Sequence, residues 1–210
     1  IDNLISIKKE IQEINPNCNL IIVTKTFGIE KIRPLIDHGH CHFGENKVQE
    51  ALDKWSEVKD SNKSIKLHLV GKLQTNKVKF CLPLFDYIHG LDSIKLAEKI
   101  ANEQIKKNFK PKIFIQINIG NEDQKNGLDK KEAPEFYNKV KNDFDLDIIG
   151  LMCIPPNVDD TSPFFIKMKS LSDELNLKDL SMGMSDDYIK ALKNSSTYIR
   201  VGSKIMGKRF

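Results

Sequence analysis

Nowhere in this 210-residue chain do apolar residues run for the roughly 18 positions that a membrane-spanning helix needs, and no secretory signal is visible at its start. The chain opens on Ile1 rather than Met, which leaves room for a leader removed earlier. Cysteine is scarce and scattered. Cys18, Cys41, Cys81 and Cys153 form no C-x-x-C pair, which argues against a zinc ribbon, a thioredoxin motif or a compact disulfide framework and suits free thiols in a reducing, cytoplasmic setting. A block of like charge is missing too: 33 basic residues are spread among 29 acidic ones for a net charge of +4, so neither nucleic acid nor a membrane surface is the expected partner. Low-complexity segments and interdomain linkers are absent, and one domain spanning residues 1–210 is expected, with 40% hydrophobic residues to build its core. Arginine is the rarest cation, with Arg33, Arg200 and Arg209 against 30 lysines.

What the chain does have is alternation. Short apolar runs are expected as eight strands at Leu20–Lys25, His40–Phe43, Lys66–Val70, Tyr87–His89, Lys112–Asn118, Asp147–Met152, Asp179–Ser181 and Tyr198–Val201. Between them lie amphipathic periods such as Ile29–Asp37, Asn46–Val58, Ser93–Lys107 and Pro134–Lys141. Repeated βα units imply a parallel sheet, and eight of them in this length favour a (β/α)8 TIM barrel over an open doubly wound sheet. In such a barrel the chemistry gathers at the C-terminal ends of the strands. The segments Gly120–Gly127 and Cys153–Pro163 are expected as loops on that rim.

Lys25 closes the apolar run Leu20, Ile21, Ile22, Val23 and stands between Thr24 and Thr26. A strand end can deliver its amine to a partly buried site, and burial is what lowers a lysine pKa toward the range where the amine attacks carbonyls. One lysine among 30 is otherwise a solvated surface group, so the case rests on what faces it. Gly183 and Ser185 follow the seventh strand, and Gly202 and Ser203 the eighth, which is where TIM barrels often bind phosphate through backbone N–H groups. Ser185 also reads as the N-cap of a helix opening at Asp186 and Asp187, two acids that must point away from any bound anion. Arg200 interrupts the apolar strand Tyr198–Val201 and, once buried, needs either an acidic neighbour or an acceptor on a ligand.

The run HGHCH, His38 to His42, has the residue types of a metal site, but its first residues precede the second strand and so lie at the opposite end of the barrel from the lysine. His68 and His89 read as packed strand residues.

These segments together resemble a known family. IIVTKT around Lys25, FGENKVQE from Phe43 to Glu50, HLVGKLQTNK from His68 to Lys77, GLMCIPP from Gly150 to Pro156, SMGMSDD from Ser181 to Asp187 and IRVGSKIMG from Ile199 to Gly207 occur in the order found in pyridoxal phosphate homeostasis proteins, also called YggS or PROSC. The likeness covers nearly the whole chain. It implies a single barrel like the N-terminal domain of alanine racemase, PLP fold type III, with Lys25 carrying pyridoxal 5'-phosphate (PLP) covalently as a Schiff base. By the same matching Arg200 approaches the pyridine nitrogen, Ser185, Gly202 and Ser203 hold the phosphate, and Asn46 and His68 belong to the pocket wall. The sequence departs from the family at Lys47, where an aromatic residue is common, in the short segment ahead of Lys25, which implies an incomplete N-terminal helix, and in a shortened loop near Asp159 to Pro163.

The resemblance implies intracellular vitamin B6 homeostasis: a carrier that stores and releases PLP without substantial turnover, with PLP-dependent apoenzymes as recipients, acting as a monomer or weak dimer. Two alternatives belong to other classes. A PLP-dependent amino-acid racemase needs a base on each face of the substrate carbon, and the related racemase draws one from an all-β domain for which this sequence shows no segment after the eighth strand. A metal-dependent barrel hydrolase would need the HGHCH cluster at the other end of the barrel.

Overall fold

The computed structural model describes residues 1–122 and 126–207. The expected rim loop 120–127 thus lies partly outside the described residues. Eight strands, β1 (Asn19–Val23), β2 (His42–Glu45), β3 (Lys66–Leu69), β4 (Tyr87–Leu91), β5 (Lys112–Ile117), β6 (Asp147–Cys153), β7 (Asp179–Ser181) and β8 (Tyr198–Val201), pair in parallel in chain order and close into a barrel. Closure is made by β1 on β8, with Leu20 opposite Ile199 and Ile21 opposite Arg200. Helices α1 (Asp2–Ile14), α2 (Ile29–Asp37), α3 (Val48–Ser61), α4 (Val78–Cys81), α5 (Ile94–Lys107), α6 (Ala133–Asp143), α7 (Ser162–Glu174), α8 (Tyr188–Lys193) and α9 (Ser203–Met206) surround it. None of the described helices is long and apolar enough to cross a membrane.

The pleat sorts each strand into two faces. Leu20 and Ile22 pack outward with the helices in one large apolar cluster, while Ile21 turns inward to join Tyr87, Phe114, Met152 and Tyr198 in a separate cluster inside the barrel. Because both faces are covered, the strands read as nearly continuous apolar runs, which is why they are legible in sequence. All four cysteines are unbridged. Burial pushes the thiols of Cys18 and Cys153 up to about 12, so they remain protonated packing groups.

Two strand boundaries beside Lys25 differ from the sequence reading for a tertiary reason. The second strand lies two residues later than expected, because Gly44 and Glu45, poor strand formers, are required by their surroundings: a Cβ on Gly44 would stand 2.9 Å from Ile21 Cγ2 inside the barrel, and Glu45 is fully buried under α3. The first strand stops at Val23, since Thr26 takes a left-handed backbone (φ 69°) and Phe27 N donates to Thr24 O in a turn. Ahead of the first strand, α1 runs for 13 residues with Leu4, Ile7 and Ile11 buried along one face.

Candidate functional site

At the C-terminal ends of the strands a cavity of about 550 Å³ is lined by Lys25, Asn46, Ser185, Arg200, Gly202 and Ser203, with Val23, Val70, Ile154 and Met184 as apolar wall. Six of the seven residues expected at the site therefore meet in one place. A larger cleft of about 820 Å³, lined by Asn15, Lys169, Lys193 and Thr197 among others, lies away from the strand ends that carry Lys25 and Arg200. Size alone does not identify a site, and the smaller cavity has the convergent polar groups.

The seventh, His68, does not line the cavity. It sits fully buried on β3, with its ring stacked on Tyr87 at 4.1 Å between centroids. Position within the motif HLVGKLQTNK could not distinguish wall from interior, because His68 and Val70 share the inward face of the strand and differ in their depth along the barrel. Val70, two residues on, reaches the cavity instead.

Lys25 is set by its neighbours. Thr24 Oγ1 donates to Glu45 Oε1 at 2.6 Å, and the backbone N–H of Thr26 donates to Glu50 Oε1 at 2.5 Å. Lys54, on α3, ties the two carboxylates together: its Nζ donates to Glu45 Oε1 at 2.9 Å, to Glu50 Oε1 at 3.0 Å and to Thr24 O at 3.0 Å. Trp55 Nε1 adds a third bond to the same Glu45 oxygen, at 2.9 Å. The left-handed Thr26 is a costly conformation for a β-branched residue, and it persists because its N–H is held by a carboxylate. This clamp is absent from the sequence reading. The Glu50–Lys54 spacing of i,i+4 was its one visible trace, and such pairs usually lie on solvated helix faces. Here Lys54 and Glu45 are 8% and 0% exposed.

Arg200 is 4% exposed, and no carboxylate lies within ion-pair distance of it among the described residues. Its Nη1 donates to Ser181 Oγ at 2.6 Å and its Nη2 to the carbonyl of Cys153 at 2.9 Å, both neutral acceptors. Of the two partners that its burial required, the acidic neighbour is thus not the one it has. A guanidinium has five N–H donors, so these two bonds leave capacity on the side that lines the cavity. Burial draws its pKa below the ordinary guanidinium value, an effect that the Asp187 carboxylate, beyond ion-pair distance, offsets only in part.

The loops after β7 and β8 lean on each other. Gly202 N donates to Ser185 Oγ at 3.3 Å, and Arg200 N donates to Gly183 O at 3.0 Å. Ser185 is not the helix cap expected of it. Helix α8 begins at Tyr188, Asp187 occupies the cap position, and Asp187 Oδ1 accepts from Met184 N at 2.6 Å, so that carboxylate is turned to its own loop. Asp186 stays exposed on the cavity lining, where solvent screens it. Gly183 is the glycine this turn cannot lose: φ is 93°, and an added Cβ would lie 2.5 Å from Ala191 Cβ and 3.1 Å from Tyr188 Cα. We expect Gly183→Ala to cost on the order of 2 kcal/mol, or about 4 to 8 °C in melting temperature, measured by thermal unfolding.

The HGHCH histidines do not converge. His40 Nε2 bonds the carbonyl of His42, and burial lowers the His40 pKa to about 4. His42 Nδ1 meets His68 Nε2 at 2.9 Å inside the barrel. Among the described residues no group of three or more His, Cys, Asp or Glu side chains is arranged to hold a metal ion.

Comparison with known proteins places this geometry. The family model described as alanine racemase, N-terminal domain, matches residues 2–209. The pyridoxal phosphate homeostasis protein of Aquifex aeolicus is 36% identical over 203 residues, covering 92% of this chain and 88% of that protein. The one from Mus musculus is 35% identical over 220 residues, 96% of this chain and 80% of that protein. Among solved structures, PipY of Synechococcus elongatus superposes with a TM-score of 0.91 without PLP and 0.88 with PLP bound, at 32% identity, over 98% of this chain and 99% of that one. Alanine racemase of Clostridium difficile shares the barrel alone, with a TM-score of 0.77 at 13% identity, over 100% of this chain and 57% of that one. An amine, a buried guanidinium and a pair of glycine–serine loops at the mouth of such a barrel, in a chain this similar to those relatives, identify it as a member of the pyridoxal phosphate homeostasis protein family.

Proposed function

We propose that this protein holds pyridoxal 5'-phosphate on Lys25 as a Schiff base and stores and releases it for vitamin B6 homeostasis, with no substantial amino-acid chemistry of its own. The observation that carries the reading is the convergence of Lys25 and Arg200 with Ser185, Gly202 and Ser203 on one cavity. The residues suit the cofactor. Lys25 offers an amine for an aldehyde, and the Gly202–Ser203 start of α9 together with Ser185 offers N–H and hydroxyl groups for a phosphate. Arg200, with neutral acceptors only, offers donors to an uncharged ring nitrogen. Asn46 completes the wall, and the close approach of its backbone to Gly71, 2.3 Å from where a Cβ would sit, fixes it there. PLP when bound supplies a carbonyl for imine exchange and an electron-withdrawing ring.

Two features of the chain's own residues argue for keeping rather than converting. An arginine donor beside a ring nitrogen disfavours protonation of that nitrogen, which weakens the ring as an electron sink. Among the described residues, the lining also offers one amine, Lys25, and one carboxylate, the exposed Asp186, with no histidine or tyrosine to act as a second, opposed base. In this reading the recipients are PLP-dependent apoenzymes of the cytoplasm, and the carrier is a monomer or weak dimer.

The test is α-proton exchange in deuterated water, with purified protein, PLP and a panel of L-amino acids. Rates close to those of free PLP are expected. Exchange at about 1 to 1,000 per second would instead mark an enzyme, and the racemase alternative would replace the carrier.

A further inference from the structure

The histidines that the site does not use form a continuous line. His42 Nδ1 lies 2.9 Å from His68 Nε2, His68 Nδ1 lies 3.0 Å from His89 Nε2, and His89 Nδ1 lies 2.8 Å from Ser181 Oγ, which also accepts from Arg200 Nη1 at 2.6 Å. The line crosses the barrel interior from the start of β2 to the cavity. His68, His89 and Ser181 are fully buried, and His42 at the far end is partly exposed.

The direction of this line follows from its last member. Arg200 can only donate, so Ser181 Oγ accepts from it. The Ser181 hydroxyl then has a single hydrogen to place, and among the described residues its one other partner is His89 Nδ1. If His89 donated instead, that hydrogen would be buried without an acceptor, which is costly. His89 therefore accepts at Nδ1 and carries its hydrogen on Nε2. It donates to His68 Nδ1, and His68, in turn, donates from Nε2 to His42 Nδ1. All three rings are neutral in this arrangement, in keeping with the lowering of each histidine's pKa by burial.

We propose that Ser181, His89 and His68, ending at His42, are positioning residues for Arg200: a one-way hydrogen-bond chain that fixes the serine rotor and so aims a lone pair at the guanidinium. His89 holds the serine hydrogen, and His68 holds His89 in the tautomer that can do so. The ring of His89 is further restrained by Phe114, stacked at 4.4 Å between centroids. The effect of the chain on bound PLP rests on the function proposed above; the chain itself does not.

Two measurements separate these. Long-range 1H–15N correlation on protein prepared without PLP, with rings assigned by single substitution, should show His42, His68 and His89 all as the Nε2–H tautomer. A Nδ1–H tautomer at His89 or His68 overturns the chain. In protein loaded with PLP, His89→Phe keeps the stacking but removes both hydrogen bonds. It should shift the absorption maximum of the bound cofactor and weaken retention on the order of tenfold, while His89→Gln, which keeps a donor and an acceptor, restores most of both. Wild-type spectrum and retention in His89→Phe would overturn the positioning role. A wild-type protein that takes up no PLP would instead sink the function proposed above and leave the tautomer result to stand or fall alone.

Discussion

Lys25→Ala abolishes the adduct that borohydride traps when the protein is incubated with PLP. The expectation is complete loss rather than weakening, because a covalent attachment cannot be shared among the other groups on the lining: among the described residues, Lys25 is the only amine there. Arg200, Ser185 and Ser203 remain in the variant and can still hold PLP reversibly, so an absorbance band that dialysis removes is compatible with the assignment. Mass spectrometry of the reduced wild-type protein should place the label on the peptide containing Lys25. A label on another lysine, or an adduct of wild-type yield in Lys25→Ala, removes Lys25 from its role.

Lys54→Met produces the second large effect, and it acts from behind the site. Lys54 is nearly buried, holds the fully buried Glu45 and the half-buried Glu50, and bonds Thr24 O beside Lys25. Removing the cation leaves Glu45 as an uncompensated charge whose second oxygen, Oε2, already lacks a partner. Breaking a buried pair from one side costs about 3 to 5 kcal/mol. For a chain of this length that is roughly 6 to 20 °C in melting temperature. The loss should be largely relieved in Lys54→Met with Glu45→Gln, where no charge is stranded. Trapping of PLP on Lys25 should fall in both variants, since the strained Thr26 turn loses a brace in each. If Lys54→Met melts within about 1 °C of wild type, the clamp does not hold the turn.

The relation between sequence and structure shows in which of these residues could be named in advance. Lys25, Ser185, Gly202 and Ser203 were legible because a parallel barrel collects its strand ends, so residues placed just after strands one, seven and eight must meet. Arg200 was legible as an anomaly, a cation inside an apolar run. Lys54 was not, because a Glu and a Lys one helical turn apart look the same whether solvated or buried beneath a strand. The misplacement of His68 has a related cause. His68 and Val70 share the inward face of one strand, and only the closed barrel sets which of them reaches the mouth and which stays buried a layer below.

By itself, then, the sequence determined the alternation of strands and helices, the parallel barrel and the residues at its mouth, since those depend on local apolar periodicity and on chain order. The tertiary structure decided what depends on packing between distant segments. It turned His42, His68, His89 and Ser181 into one line, gave Arg200 neutral rather than acidic partners, and buried the Glu45–Lys54 pair behind Lys25. Partners such as His89 and Ser181, 92 residues apart, are chosen by register and closure of the sheet, and no local pattern encodes them.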